Sequence, residues 1–319
     1  MTAALTIGVD IGGTKVAAGV VDDDGNVLAH EQAPTPSTSA EQVLEVVAAV
    51  VESLLATSAG RGVEAVGVGA AGLIDDQRST VVFAPNLAWR HEPIRDRLAK
   101  RLSLPVVVEN DGNAAAWAEH RFGAGRGFAN MACLTIGTGI GGGLIIDGRL
   151  RRGAAGFGGE FGHIRVVPDG RRCGCGNRGC WEQYCSGRAL VREAQHLALV
   201  DPAAAEVMLE LADDEIENIT GQVITRAARR GDTAALGCFE QVGGWLGWGI
   251  VGLAAILDSA RFVVGGGVID AGDLLLDPAR RVFADHLLGR SYRDAPEIVA
   301  ASLGPTAGLV GAADLARQA

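Results

Sequence analysis

Apolar and polar residues alternate along this chain in two rhythms, and their succession predicts an α/β protein. Short apolar runs at residues 5–9 and 16–21 flank Asp10-Ile11-Gly12-Gly13-Thr14-Lys15, and another opens at Val27 after Asp22-Asp23-Asp24-Gly25-Asn26. Runs of this length, bounded by Gly, Asp and Asn, read as strands joined by tight turns. Pro34 and Pro36 then break the chain. Residues 40–59 place valine or leucine at 43, 44, 47, 50, 51, 54 and 55, the three-and-four spacing of an amphipathic helix. A buried strand is expected at 63–70, running into Ala71-Gly72. A helix follows at 93–102, then a strand at 105–108 that stops at Glu109-Asn110-Asp111, and a helix at 113–122. Polar residues at the C-terminal end of an apolar strand are where open α/β sheets hold ligands. The same residues also suit an ordinary helix N-cap, and position alone leaves both readings open.

The opening layout then recurs. Residues 131–136 form an apolar run, Gly137-Thr138-Gly139-Ile140-Gly141-Gly142-Gly143 a turn, 144–146 a second run, and Asp147-Gly148 a hairpin. This repeat suggests two related halves, each offering one glycine turn to a shared cleft. Helices are expected at 189–199, 214–230 and 233–257, with Trp245 and Trp248 as core or interface residues. A strand at 261–264 runs into Gly265-Gly266-Gly267, where three glycines imply a close approach to the backbone. A helix at 278–288, a strand at 297–301 and a helix at 306–317 close the chain, with no linker between them.

Length and charge narrow the function. At 319 residues the chain can build two domains. Their expected bounds are 1–111 with 302–319 for the smaller and 112–301 for the larger. Glycine, at 46 residues, is enriched and clusters at tight backbone sites. A net charge of −10 argues against a general nucleic-acid surface, though backbone amides and a metal ion can still hold phosphates locally. The N-terminal residues show no signal-peptide pattern. The longest helical apolar run, 246–257, is too short for a bilayer. The expectation is a cytoplasmic protein with no membrane and no nucleic-acid partner.

Residues 159–182 carry the densest chemistry. Gly159-Glu160-Phe161-Gly162-His163 is followed by Cys173-Gly174-Cys175-Gly176-Asn177-Arg178-Gly179-Cys180-Trp181-Glu182. His163, Cys173, Cys175 and Cys180 make a full tetrahedral donor set for zinc with no position left for water, which predicts a structural ion. The other cysteines are scattered and show no disulfide framework. Residues 137–142 fit G-x-G-x-x-G, but a strand and hairpin follow where a dinucleotide site needs a helix. No P-loop motif occurs.

Together these motifs resemble the ROK family, named for repressors, open reading frames and sugar kinases. The residues 10–15 are similar to its first phosphate loop, 136–143 to its second, 159–182 to its zinc-and-sugar signature and 265–267 to its adenosine turn. The segments Ala71-Gly72-Leu73-Ile74-Asp75 and Ala84-Pro85-Asn86-Leu87 look like those of its bacterial glucose kinases. The resemblance implies an actin-like, hexokinase-type fold of two α/β domains around a cleft. It also implies transfer of the ATP γ-phosphoryl group, with Mg²⁺, to the 6-hydroxyl of glucose. Asp111 would be the general base. Gly72, Asn110, Glu160, His163 and Glu182 would contact the sugar, with His163 also on zinc. Asp10, Gly12, Gly13, Thr14, Thr138 and Gly139 would serve the phosphates and Mg²⁺, and Gly265 and Gly266 the adenosine. A dimer or tetramer is implied as well.

Three alternatives stay open at this point. Another hexose or an N-acetylhexosamine (fructose, N-acetylmannosamine, N-acetylglucosamine) could be the acceptor, and polyphosphate could be the donor, although the cysteine cluster favours ATP. The third, a sugar-responsive repressor, would need a DNA-binding domain ahead of Asp10, and the sequence offers no room for one.

Overall fold

The computed structural model describes residues 4–36, 39–84 and 89–318. Pro85, Asn86 and Leu87 of the sugar-kinase-like segment therefore lie outside the described residues. In chain order the first elements are β1 (Leu5–Ile11), β2 (Lys15–Val21), β3 (Val27–Pro34), α1 (Ala40–Ala56), β4 (Val63–Ala70) and β5 (Leu73–Ile74). Then come β6 (Val81–Ala84), β7 (Trp89–Glu92), α2 (Ile94–Leu102), β8 (Val106–Asn110), α3 (Asp111–Phe122), β9 (Met131–Ile136), β10 (Ile140–Ile146) and β11 (Arg149–Arg151). The remainder is α4 (Gly187–Val200), α5 (Glu206–Glu210), α6 (Gly221–Arg229), α7 (Thr233–Leu257), β12 (Arg261–Gly265), α8 (Asp273–His286), β13 (Glu297–Ala300) and α9 (Ala307–Arg317).

One five-stranded sheet has the order β3-β2-β1-β4-β8, and a second has the order β11-β10-β9-β12-β13. Numbered within each sheet, both read 3-2-1-4-5, so the repeat legible in the sequence is a repeat of topology. In the first, β1 pairs antiparallel with β2 and parallel with β4, and β4 pairs parallel with β8. A small meander, β5-β6-β7, was not anticipated from the sequence. The chain forms two compact units: Met1–Cys133 with Gly142–Glu160 and Ala301–Ala319, and Leu134–Gly141 with Phe161–Ala300. Two of the four boundaries fall inside β9 and β10.

In the first unit, the valine and leucine stripe of α1 (Val43, Val47, Val51, Leu54) packs with Ile7, Val9 and Val68 of the sheet and Leu98 of α2. A second cluster joins Ala17 and Val21 of β2 to Ala115 and Ala118 of α3 and Leu309 and Val310 of α9. Backbone approach is very close here. A Cβ placed on Gly8 or Gly67 would lie 1.8 Å from the carbonyl oxygen of Leu309 or Ala312. Glycine in β1 and β4 thus lets α9 rest directly on the sheet.

The same effect explains a difference from the sequence reading. The glycines at 141–143 belong to strand β10, not to a turn. A Cβ on Gly112 would meet the Gly142 nitrogen at 2.5 Å, and one on Gly143 would meet Ala116 Cβ at 2.6 Å. Gly142 and Gly143 are small because α3 crosses over them.

In the second unit, α7 runs for 25 residues and is, among the described residues, the one helix long and apolar enough to span a bilayer by length and composition. Here it packs on α8, where a Cβ on Gly243 or Gly247 would lie 2.6 Å from the Leu275 or Ala279 carbonyl. Helix α8 begins five residues before the expected start and carries Pro278 inside it. The single helix expected at 214–230 is shorter. Asp213 and Asp214 have positive φ, and Thr220 caps α6 by accepting from the Val223 amide.

Candidate functional site

In the first unit, two strands bring acidic and amide groups to their ends. Strand β1 delivers Asp10 to the turn Gly12-Gly13-Thr14, which is closed by Gly12 N–H donating to the Lys15 carbonyl (3.0 Å). Thr35 pins the same turn by donating from Oγ1 to the Gly12 carbonyl (2.8 Å). Gly13 and Thr14 are exposed. The Asp10 carboxylate lies against the start of α9: a Cβ on Gly308 would come 2.8 Å from Asp10 Oδ2. A helix N-terminus favours negative charge, and only glycine at 308 admits the carboxylate.

Strand β8 delivers Asn110 and Asp111. Asn110 is the N-cap of α3, accepting from the Asn113 amide through Oδ1 (3.0 Å), while its Nδ2 donates to the Gly72 carbonyl (3.1 Å). The amide group keeps one N–H and one lone pair for a further partner. The capping and ligand readings therefore do not compete: the cap is Asn110, and Asp111 is the first helical residue. Asp111 accepts from the Gly112 amide (2.9 Å). Burial pushes its pKa up despite that bond. Asp10 is pushed up to about 7, first by burial and then by the negative charge of Asp111, with Lys15 pulling the other way. Glu160 follows Gly159, whose φ of 95° is left-handed.

Behind these groups is a buried carboxylate that the sequence reading mentioned only as part of a polar strand end. Glu109, 1% exposed, accepts from the Asn110 amide (2.9 Å) and from Asn113 Nδ2 (3.0 Å) and pairs with Arg78 (3.1 Å) and Arg152 (2.8 Å).

The second unit contains the candidate metal site. The ligand atoms of His163, Cys173, Cys175 and Cys180 all lie within 4.8 Å of one another. Cys175 Sγ and Cys180 Sγ are 3.7 Å apart, and Cys173 Sγ is 3.7 Å from His163 Nδ1. Two sulfurs at about 2.3 Å from a tetrahedral zinc would stand about 3.8 Å apart, so both donor chemistry and spacing fit zinc. The loop is shaped by Cys173 N–H donating to the Asn177 carbonyl (2.9 Å) and Gly176 N–H to the Cys173 carbonyl (3.1 Å). Trp181, fully buried, anchors it by donating from Nε1 to the Trp245 carbonyl of α7 (2.8 Å). Gly249 makes room, since a Cβ there would fall 1.9 Å from the Trp181 ring.

Glu182 joins two motifs in this unit. Its Oε1 is 3.0 Å from Cys173 Sγ. Its Oε2 would be 2.2 Å from a Cβ on Gly139, so the carboxylate lies directly over the second glycine turn. That turn is closed by Gly137 N–H donating to the Gly139 carbonyl (3.0 Å), and Gly187 at the start of α4 donates to the Gly137 carbonyl (2.7 Å). Thr138 is exposed at its tip. Beside it is an open cavity of about 680 Å³, lined by Gly137, Thr138, Arg188, Val191, Gln195 and Val268 among others.

A family model described as ROK matches residues 6–319. The chain belongs to the ROK family. It is 52% identical over 314 residues to the glucokinase of Streptomyces coelicolor, covering 98% of each protein. It is 35% identical to the glucokinase of Thermotoga maritima, covering 98% of this chain and 97% of that one. The crystal structure of a ROK glucokinase from Streptomyces griseus in complex with glucose and AMPPNP superposes with a TM-score of 0.90 at 54% identity, covering 99% of this chain and 100% of that one. These relatives bear out the actin-like, hexokinase-type α/β fold expected of the sequence.

Gly265 is the buried end of β12, and Gly266, at φ 88°, faces the Ile136 backbone, which a Cβ would meet at 2.5 Å. The residues of this turn that reach the cavity are Gly267 and Val268. Arg188, Val191 and Gln195 of α4, also on its wall, escaped the sequence reading. A helix face turned toward a cavity has no sequence motif.

Proposed function

We propose that this ROK chain transfers the γ-phosphoryl group of ATP to the 6-hydroxyl of glucose, giving glucose 6-phosphate and ADP. The observation that carries this reading is the near-complete match, in sequence and backbone, to a ROK glucokinase solved with glucose and an ATP analogue. The first unit supplies the acid–base group. Asp111 takes the proton from the 6-hydroxyl as its oxygen bonds to the γ-phosphorus and the bond to the bridging oxygen of ADP breaks. Transfer of this kind depends on positioning and charge neutralisation more than on covalent chemistry, and a general base adds typically 10²–10⁴-fold. The raised pKa of Asp111 strengthens it as a base once ionised.

Asn110, Glu160, His163 and Glu182 are the proposed sugar contacts, with Gly72 fixing the Asn110 amide. Carboxylates, amide and imidazole match the mixed donors and acceptors of a pyranose. Nδ1 of His163 lies 3.7 Å from Cys173 Sγ, and Nε2 is the nitrogen assigned to the sugar. Gly13, Thr14, Thr138 and Gly139 offer amides and hydroxyls to the phosphates, and Gly12, whose own amide closes the turn, shapes the first loop. The adenosine is assigned to the cavity beside Thr138 and Gly267, at the turn that follows Gly265 and Gly266.

Zinc would be held by His163, Cys173, Cys175 and Cys180 and would supply structure only, because four protein donors fill its shell. Asp10 would orient Mg²⁺, which offsets phosphate charge. The fit rests on two neighbouring acidic groups whose ionisation burial disfavours, that of Asp10 also through the charge of Asp111. A cytoplasmic dimer or tetramer completes the proposal. The exposed apolar residues Trp248 and Ile256 on α7 support an interface between copies, which light scattering of the purified protein tests.

The deciding assay pairs a panel of glucose, fructose, mannose and N-acetylhexosamines with ATP or polyphosphate and reads phosphorylated product. Glucose with ATP is expected to give the highest kcat/KM. Preference for an N-acetylhexosamine, or for polyphosphate, would replace the reading.

A further inference from the structure

The proposed sugar contacts of the first unit sit on two separate stretches, the end of β8 and the loop ending at Glu160, and one side chain ties them together. Arg152 follows β11. Its Nε pairs with Glu109 (2.8 Å to Oε2, 3.1 Å to Oε1), its Nη2 donates to the Asp75 carbonyl (2.8 Å) and its Nη1 to the Asp76 carbonyl (3.0 Å). Its own carbonyl accepts from the Gly158 amide (2.7 Å), closing the loop that leads to Gly159 and Glu160. That loop rests on the segment Arg152 grips: a Cβ on Gly156 would meet the Ile74 carbonyl at 2.3 Å.

Glu109, the other end of the pair, immediately precedes Asn110 and Asp111 and holds the Asn110 amide. Through Asn113 Nδ2 it also fixes the residue whose buried Oδ1 has no hydrogen-bond partner and would lie 3.3 Å from a Cβ on Gly159. Both members of the pair are shielded, at 1% and 10% side-chain exposure, so neither charge can be left to water. Arg78 touches the same carboxylate but is more exposed, at 28%, and it is its backbone amide that donates to the Asp75 carbonyl (3.1 Å).

We propose that Arg152 is a positioning residue for the sugar: its pairing with Glu109 and its hold on the Asp75–Asp76 carbonyls set Glu160 in register with Asn110 and Asp111. This rests on the sugar-kinase reading given above. Arg152 does not touch the reacting atoms. It acts by keeping two contact stretches at a fixed spacing, and a displacement of about 1 Å at such a site can cost roughly 10²-fold in rate.

The test compares Arg152→Met, Arg152→Lys and Arg78→Met with the intact chain, measuring kcat, KM for glucose, KM for ATP, zinc content and Tm. In Arg152→Met, KM for glucose should rise about tenfold or more and kcat fall by up to roughly 10²-fold, with KM for ATP and zinc content unchanged. Arg152→Lys keeps the charge opposite Glu109 but cannot reach both carbonyls. It should fold even where the Met variant does not, with an intermediate KM for glucose. Arg78→Met should lower Tm while leaving KM for glucose within twofold of the parent. Unchanged KM for glucose in either folded Arg152 variant overturns the proposal, as does an equal rise in both KM values. An intact chain that does not phosphorylate glucose would instead overturn the function on which the proposal rests.

Discussion

Cys173 Sγ lies 3.0 Å from Glu182 Oε1, so a zinc ligand of the proposed cluster and a proposed sugar contact are direct neighbours. The opposite oxygen of the same carboxylate overlies Gly139 of the second glycine turn. Metal, sugar and phosphate assignments therefore converge on one side chain of the second unit.

Loss of the metal should be felt at the sugar. Cys175→Ser removes one of the four zinc donors, so zinc content should drop and KM for glucose rise, roughly tenfold by analogy with changes to residues that orient metal ligands. Metal analysis alongside steady-state kinetics checks this. Loss of zinc with an unaltered KM would separate the cluster from the sugar site.

Removing the base should stop chemistry while sparing binding. Asp111→Asn keeps the shape of the first residue of α3 and its neighbour Asn110 as the cap. A kcat lower by about 10²–10⁴-fold is expected, with glucose affinity measured by calorimetry close to that of the parent. Near-parental turnover would remove Asp111 from its role.

Asp10 predicts a pH dependence of stability. Its pKa in the folded chain, about 7, lies above that of an unfolded aspartate. Between the two values the folded chain holds a proton that the unfolded chain has released, so stability falls as pH rises across that window. The Tm of the protein without nucleotide should be higher at pH 5 than at pH 8 by this contribution, and Asp10→Asn should flatten the difference. A steeper fall in the Asn variant would contradict the assignment.

The cavity assignment predicts a selective loss. Val191→Arg would place a long cation among Arg188, Gln195 and Val268 and should raise KM for ATP about tenfold or more, since a filled pocket cannot bury the ligand. KM for glucose should stay near its parental value. If only the glucose constant moved, the cavity would not be the adenosine site.

Much of the candidate site was legible in the sequence because its groups are local. The zinc donors fall within a short glycine-rich span, Asp111 follows an apolar strand directly, and each glycine turn is bounded by its own strands. Spacing alone fixes such groups, since a strand end or tight turn admits few conformations. The repeated strand order was foreshadowed for the same reason. Other features depend on residues far apart in the chain. The glycines of β10 looked like a turn until α3 was seen to lie on them. Glu109 looked like one more polar residue at a strand end, although Arg78 and Arg152 meet it from distant segments. Gly308 gave no sign that it makes room for Asp10. The sequence determined which groups are present and in what order along each half. Tertiary packing decided which carboxylates lose water, which glycines carry a crossing helix and which helix face lines the cavity, because burial and close approach belong to pairs of segments that no local pattern encodes.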